Sequence, residues 1–154
     1  NILKIDEFQF KCSIGAKGIK KNKIEGDLCT PKGRYKLKNL FYRDDRGKKF
    51  NCVLNTIKIK KNMGWCDDPK SRYYNSLIKI NKNLKYEKLF RKDHLYDFLI
   101  EINHNHKKKP FAGSAIFIHL TKNYKPTKGC IALKEKDFLI LLKLVTKKTY
   151  LNII

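Results

Sequence analysis

The apolar residues of this chain occur in short runs, and none of these runs approaches the length of a membrane-spanning helix. The longest strictly apolar run, Phe138 to Leu142, has five residues, and Ala115 to Ile118 has four. A helix needs roughly 18 to 20 apolar residues to cross a bilayer, so we expect no stable membrane insertion. A length of 154 residues suits one domain, since domains cluster near about 100 to 150 residues. Residues 1–154 are therefore expected to form a single domain.

Three segments show the alternation of apolar and polar residues that is typical of half-exposed strands. They are Phe8 to Cys12, Arg34 to Phe41 and Asn51 to Lys60. Short strands separated by turn residues indicate a β fold rather than a helical one. In the third segment, the face that we expect to be buried carries Val53, Asn55, Ile57 and Ile59.

Later segments predict buried strands and one helix. Gly113 to Leu120 is almost continuously apolar, which favours a strand buried on both faces. The β-branched end of His94 to Ile102 favours a strand, as does Tyr150 to Ile154. Lys134 to Thr146 has apolar residues at helical spacing. Many strands and one helix predict a mainly β sandwich or barrel. The apolar helical positions are Phe138, Leu141, Leu142 and Val145.

The net charge is strongly positive, because 36 Lys and Arg face only 14 Asp and Glu, which gives +22. Only five of the basic residues are Arg, whose planar fork is the group that nucleic-acid recognition favours. We therefore expect no nucleic-acid partner. Two alternatives stay open. The chain is a non-catalytic basic module that binds nucleic acid or an anionic wall polymer, or its positive electrostatic field attracts a carboxylate-rich substrate.

The cysteines do not form the spacing of a disulfide framework or a zinc site. Their number is odd and no C-x-x-C pair occurs, so at least one thiol is expected to be free. His104 and His106 form His-x-His in a polar loop without a neighbouring carboxylate or Cys, and we expect neither a metal nor a cofactor. The five cysteines are Cys12, Cys29, Cys52, Cys66 and Cys130.

One segment combines residue types that can form a nucleophilic site. His119 stands near the end of the apolar run, and Gly129 and Cys130 precede the predicted helix. A thiol becomes nucleophilic beside a base, and a His on a rigid strand supplies one. Gly129 permits close approach of the backbone, so that amide groups can face a developing oxyanion. The residues alone leave two interpretations open: Cys–His catalysis, or a small buried Cys beside a structural His.

These residues resemble the active-site signature of L,D-transpeptidase catalytic domains, in which a strand His is followed by Ser/Thr-x-Gly-Cys and an aliphatic residue. The matching segments are Gly113 to His119 and Pro126 to Leu133. Further segments resemble the short bacterial members of this family, so that the likeness covers most of the chain. They are Glu25-Gly26-Asp27, Thr30-Pro31-x-Gly33, Gly64 to Pro69, Tyr74-Asn75 and Asp93 to Asp97.

The resemblance implies a mainly β fold of the L,D-transpeptidase type, with a helix after the catalytic Cys, and an enzyme acting on peptidoglycan stem peptides. Cys130 would be the nucleophile, and His119 the base that later protonates the leaving amine. The backbone carbonyl of Leu120 would orient the imidazole. Gly129 and Cys130 would donate N–H groups to the oxyanion, and Thr127 would steady the loop.

The resemblance marks the substrate-binding residues less clearly, because Ala132 stands where the wider family commonly has Arg or Asn. Lys128 stands where the family often has His, and Leu120 where it often has Gly. Lys128 is two positions from the thiol, so we expect its charge to favour the thiolate. The candidate substrate-binding residues are His94, Trp65, Tyr74, Lys128 and Arg72.

The resulting expectation is a cysteine acyltransferase that forms an acyl-enzyme and passes it to an amine of a neighbouring stem, giving a 1,3 or a 3,3 cross-link. Hydrolysis of the same acyl-enzyme, by a carboxypeptidase or endopeptidase, is the alternative. The substrate implies the periplasm or cell envelope. Asn1 to Asp6 shows no signal-peptide pattern, so any export signal is expected to be absent or already removed. The sequence does not indicate an oligomeric state.

Overall fold

The computed structural model describes residues 1–154 and contains thirteen strands and one α-helix. A single turn of 3-10 helix, Asp44–Arg46, follows the fifth strand. No helix has the length and the apolar character that a bilayer span requires. The elements are β1 (Ile2–Ile5), β2 (Phe8–Ser13), β3 (Ile19–Lys20), β4 (Thr30–Pro31), β5 (Gly33–Tyr42), β6 (Thr56–Lys58), β7 (Met63–Cys66), β8 (Leu77–Lys79), β9 (Tyr86–Lys88), β10 (Phe98–Ile102), β11 (Phe117–Leu120), β12 (Ile131–Leu133), α1 (Glu135–Leu144) and β13 (Tyr150–Ile153).

The main sheet has eight strands in the order β1-β2-β12-β11-β10-β5-β13, with β6 beside β5. Most neighbours in it are antiparallel, but β11 and β12 run parallel, as do β5 and β6. Because parallel strands run in the same direction, the chain between β11 and β12 has to return along the length of the strands. A separate sheet, β8-β7-β9, is antiparallel, and β3 and β4 form a short parallel pair.

Two apolar cores lie on opposite faces of β11. Ile118 and Leu120 belong to the larger core of 19 buried residues, which α1 covers with Phe138. Phe117 belongs to the smaller core of nine buried residues. Because side chains alternate across a strand, His119 points to the same side as Phe117. The smaller core also contains Cys130, so the pleat of β11 turns the His towards the Cys.

The structure confirms the mainly β fold with one late helix. Phe8 to Cys12, Arg34 to Phe41 and Tyr150 to Ile154 form strands within one or two residues of the predicted bounds. His94 to Ile102 ends as strand β10. The predicted helix is also confirmed, and it buries the expected face.

Two strand predictions are too long. Of Asn51 to Lys60, only Thr56–Lys58 is a strand; a bend before it exposes Val53 to 50% and buries Leu54 instead. Of the run that begins at Gly113, only Phe117–Leu120 is a strand. The residues before it are buried but not extended, because Gly113 and Ala115 have positive φ angles of 89° and 52°.

Candidate active site

The parallel pairing of β11 and β12 places His119 and Cys130 at one cleft. His119 is in register with Ala132, and Cys130 directly precedes β12. Both residues line a cavity of about 830 Å³, together with Thr127 and Gly129 from the connecting loop. His119 and Cys130, which are eleven positions apart in the sequence, thus line the same cavity.

Cys130 is buried, and its thiol is held by backbone groups. Its Sγ donates to the carbonyl of Ala115 at 3.2 Å and accepts from the N–H of Phe117 at 3.3 Å. Burial raises the pKa of the Cys130 thiol to about 12, and the negative charge of Glu87 contributes in the same direction. The charge of Lys23 lowers the pKa of this thiol, but the loss of hydration outweighs it, so the expected excess of thiolate is not found in this state.

His119 is oriented by its own strand. Its Nδ1 lies 2.8 Å from the backbone carbonyl oxygen of Leu120. A carbonyl oxygen can only accept, so Nδ1 carries the proton and Nε2 keeps a free lone pair. Burial lowers the pKa of His119 to about 4, and the ring of Tyr96 packs edge-on against the imidazole at 5.3 Å. The thiol and the imidazole are consequently both neutral near pH 7.

The side chain of Thr127 bonds to the backbone of Gly129 and Cys130, in the turn that precedes β12. Its Oγ1 donates to the carbonyl of Cys130 at 2.6 Å and accepts from the N–H of Gly129 at 3.0 Å. The backbone of Thr127 is also tied to the segment after β2, through its N–H to Ile14 at 2.9 Å and its carbonyl to the N–H of Ala16 at 2.9 Å. Side chain and main chain together fix the position of the loop.

Gly129 is required by the backbone at this point. Its φ is +146°, and a Cβ added there would lie 2.8 Å from the carbonyl oxygen of Cys29. Its N–H donates to Thr127, so in this conformation Gly129 does not offer a free oxyanion donor, contrary to the expectation. The N–H of Cys130 has no acceptor in the chain and is the free amide at this turn.

The five candidate substrate-binding residues lie in different places. Only Lys128 lines the cleft. Trp65 is buried in the smaller core, in edge-on contact with Phe41 and Phe117, so its expected place on the cleft is wrong. Tyr74 is 2% exposed, and its hydroxyl donates a hydrogen bond to the carboxylate of Glu25.

The other two candidates are exposed and do not line the cavity. His94 pairs with Asp97 at 2.9 Å, and Arg72 bonds and stacks on the neighbouring Tyr73. His94 and Arg72 are held instead by these neighbours on the surface. A role for either one in substrate binding would need contacts outside this cavity.

Acidic residues of the cleft were not assigned a role from the sequence. Glu25, Asp67, Glu87 and Asp93 line it, and Glu87 accepts a hydrogen bond from Tyr96. Burial is the main cause that raises the pKa of both Asp67 and Glu87. Glu25 and Asp67 stand in segments that resemble the family, which was the one signal available; Glu87 stands in no motif. Basic residues at the cleft are Lys23, Lys88, Arg91, Lys122, Lys125 and Lys128.

No group of three or more His, Cys, Asp or Glu side chains in the chain is arranged to hold a metal ion. His104 donates from Nε2 to the backbone carbonyl of Ala112, in its own loop, at 2.9 Å. All five cysteines are unpaired thiols.

The comparison with protein families gives one result. A family model described as the L,D-transpeptidase catalytic domain (YkuD) matches residues 4–153, which is nearly the whole chain. No curated protein and no solved structure matches the sequence.

Proposed function

Because the chain belongs to the L,D-transpeptidase catalytic domain family, whose members are cysteine-dependent enzymes linked to peptidoglycan, we propose that it is a peptidoglycan L,D-transpeptidase. Cys130 would form an acyl-enzyme with a stem peptide and pass the acyl group to an amine of a neighbouring stem. The observation that carries the proposal is the presence, in one cleft, of a buried thiol and of an imidazole whose Nε2 is free.

In the acylation step, Sγ of Cys130 attacks the scissile carbonyl while Nε2 of His119 takes the thiol proton. The tetrahedral intermediate then collapses, the C–N bond breaks, and the imidazolium gives its proton to the leaving amine. In the second half, an acceptor amine attacks the thioester and gives its proton to Nε2. The thiol is then released and recovers its proton.

The neutral resting pair suits this sequence. With the thiol pKa near 12 and the imidazole pKa near 4, the proton stays on sulfur until a substrate carbonyl is in place. The Leu120 carbonyl then stabilises the developing imidazolium through Nδ1, as a carboxylate does in other triads. Reaction with adventitious electrophiles is thereby limited, because the thiolate is scarce without substrate.

The amide of Cys130 is the free donor for the oxyanion. A single donor of this kind contributes about 3 to 4 kcal/mol to transition-state stabilisation. Gly129 could add its N–H only by giving up its bond to Thr127. Thr127 therefore acts in this proposal through the loop that it fixes, and it does not contact the substrate.

Transpeptidation and hydrolysis differ in whether an amine or water takes the acyl group from the acyl-enzyme. Incubation with purified muropeptides, followed by mass spectrometry, should yield cross-linked dimers, and fragmentation of the dimers would identify 1,3 or 3,3 linkage. Trimmed monomers without dimers would instead assign a carboxypeptidase or endopeptidase. Either activity places the working site in the cell envelope, where the substrate lies.

A variant pair tests the nucleophile. Cys130→Ala should form no covalent adduct with the stem peptide by intact mass, whereas Cys12→Ala, which removes another buried thiol outside the cleft, should form it normally. An adduct on Cys130→Ala would contradict the assignment. A binding module of another kind is also testable: affinity for nucleic acid that falls steeply with salt and survives Cys130→Ala would favour it.

A further inference from the structure

The imidazole of His119 makes a single hydrogen bond, and this bond does not fix the whole ring. Nδ1 bonds to the carbonyl of Leu120, the next residue of the same strand. Such a bond sets the tautomer, but the torsion that turns a His ring about its own axis is soft. A base has to be held more closely, because a displacement of about 1 Å can lower a rate about 100-fold. A second contact is needed to fix the plane of the ring.

The ring of Tyr96 supplies this contact. Its centroid lies 5.3 Å from that of the His119 imidazole, and the two planes meet at 65°, which is an arrangement that aromatic pairs prefer. Tyr96 is 6% exposed and belongs to the smaller core, so its own ring has little room to move. The imidazole therefore packs against a surface that is itself held in place.

Two polar contacts hold the Tyr96 ring in addition to its packing. Its hydroxyl donates to the carboxylate of Glu87, which lies on β9 of the separate sheet. Burial raises the pKa of the Tyr96 hydroxyl well above its ordinary value, so the group stays a donor at neutral pH. The guanidinium of Arg91 lies over the same ring, 4.9 Å from its centroid, as a cation–π contact. The separate sheet thus supports the ring that supports the imidazole.

The backbone next to Tyr96 supports the other contact of the imidazole. The carbonyl of Leu95 accepts from the N–H of Leu120 at 3.0 Å, and Leu120 carries the carbonyl that binds Nδ1 of His119. Just before these residues the chain turns sharply, since His94 has a positive φ of 65°. One short segment therefore holds both the ring of His119 and the residue that orients it.

A second Tyr–His pair with the same geometry lies outside the cleft. The rings of Tyr35 and His104 are 5.6 Å apart and meet at 77°, and the Tyr35 hydroxyl donates to the carbonyl of Lys32. His104 has the opposite tautomer to His119, because its Nε2 faces the carbonyl of Ala112 at 2.9 Å. The chain therefore contains its own matched control for a Tyr that packs on a His.

We propose that Tyr96 is a positioning residue for His119, whose ring fixes the plane of the imidazole while the hydrogen bond to Glu87 fixes Tyr96. Tyr96 transfers no proton and acts through His119 alone. The inference rests on the proposed function for the role of His119 as a base. A residue with only a core role would change the stability of the fold, whereas a positioning residue also changes the tautomer of His119 and kcat.

NMR of the chain labelled with 15N-histidine reads the tautomer of each imidazole without any substrate. At pH 7 we expect His119 in the form with a proton on Nδ1, and His104 in the form with a proton on Nε2; His119→Ala identifies the first set of signals. Tyr96→Leu should move the His119 signals towards a mixture of tautomers, because the loosened ring shares its proton between both nitrogens. Tyr35→Leu should leave His119 unchanged.

Turnover of a stem peptide separates positioning from substrate contact. Tyr96→Leu should lower kcat about 10- to 100-fold and leave KM within about twofold, because the loss lies in the base and not in binding. Tyr96→Phe keeps the ring and loses only the hydrogen bond to Glu87, so kcat should fall only about threefold. Tyr35→Leu should keep the kcat of the unmodified chain.

An unchanged His119 tautomer in folded Tyr96→Leu would overturn the positioning role, as would a loss that lies in KM alone. If Tyr96→Leu does not fold, Tyr96→Met, which fills the core without a flat ring, takes its place in both measurements. A changed tautomer in a chain that forms no acyl-enzyme would overturn the proposed function and leave the contact between Tyr96 and His119 standing.

Discussion

The two walls of the cleft differ in how fully their polar groups are paired. On the wall of β11 and β12, His119, Thr127 and Gly129 each bond to the backbone or to one another, and the Cys130 thiol has two backbone partners. On the wall that carries Asp67 and Glu87, Oδ1 of Asp67 has no hydrogen-bond partner, and burial raises the pKa of both carboxyl groups. The first wall is therefore held by its own hydrogen bonds, whereas the second is less completely paired.

The largest effect that would separate the walls is expected from the imidazole. His119→Ala removes the base of the paired wall and should lower kcat by about 10²- to 10⁴-fold. His106→Ala, which changes an exposed His outside this cleft, should leave kcat unchanged. Turnover of a stem peptide by both variants is the measurement. Equal activity of the two would mean that the thiol is activated by another group.

The pH dependence of Cys130 alkylation tests whether the resting thiol is neutral. Because burial raises the pKa of Cys130 to about 12, the thiolate fraction should rise about tenfold for each pH unit from 7 upwards. The rate of iodoacetamide labelling at Cys130, located by peptide mapping, should follow that slope without a plateau below pH 10. A plateau already present near pH 6 would indicate a thiolate–imidazolium pair and contradict the neutral resting state.

A stability comparison tests how rigidly the first wall is built. Gly129→Ala forces a side chain into a φ of +146° against the Cys29 carbonyl, and we expect a loss of about 1 to 3 kcal/mol in the free energy of unfolding. Gly47→Ala is the matched control, since Gly47 also has a positive φ but no atom within 4 Å of an added Cβ. Urea unfolding of both should show the larger loss at Gly129. The same loss in both would remove the argument for a close backbone contact at the loop.

The smallest effect is expected from the influence of the Glu87 charge on the Cys130 thiol. Glu87→Gln removes a negative charge that raises the pKa of Cys130, so labelling of Cys130 at pH 8 should become about threefold faster. Glu101→Gln, outside the cleft, should not change the rate. Slower labelling of Glu87→Gln would show that Glu87 acts mainly through its bond to Tyr96.

The paired wall was largely accessible from the sequence. An almost continuous apolar run predicts a buried strand with a His near its end. The following Gly-Cys left two interpretations open, Cys–His catalysis or a small buried Cys, and the family resemblance favoured the first. The alternation of β11 then fixes the side to which His119 points. The backbone partners of the thiol, Ala115 and Phe117, were not predictable, since they depend on a positive φ just before the strand.

The unpaired wall could not be predicted in the same way. Glu87 lies on a strand of three residues, which is too short to show alternation, and Asp67 follows a strand of another sheet. Their meeting depends on how that sheet lies against the main one. Trp65 illustrates the same limit, because its packing between Phe41 and Phe117 follows from tertiary contacts. The positive charge of the chain likewise gave no information on the burial that governs the thiol pKa.

The central claim is that Cys130 takes an acyl group from a wall peptide with His119 as its base. Intact-mass spectrometry of the unmodified chain with a tetrapeptide stem, followed by peptide mapping, tests it most directly. The account predicts an adduct with the mass of the acyl fragment on the peptide containing Cys130, and much slower adduct formation in His119→Ala. An adduct on another cysteine, or product formed without any adduct on Cys130, would contradict it.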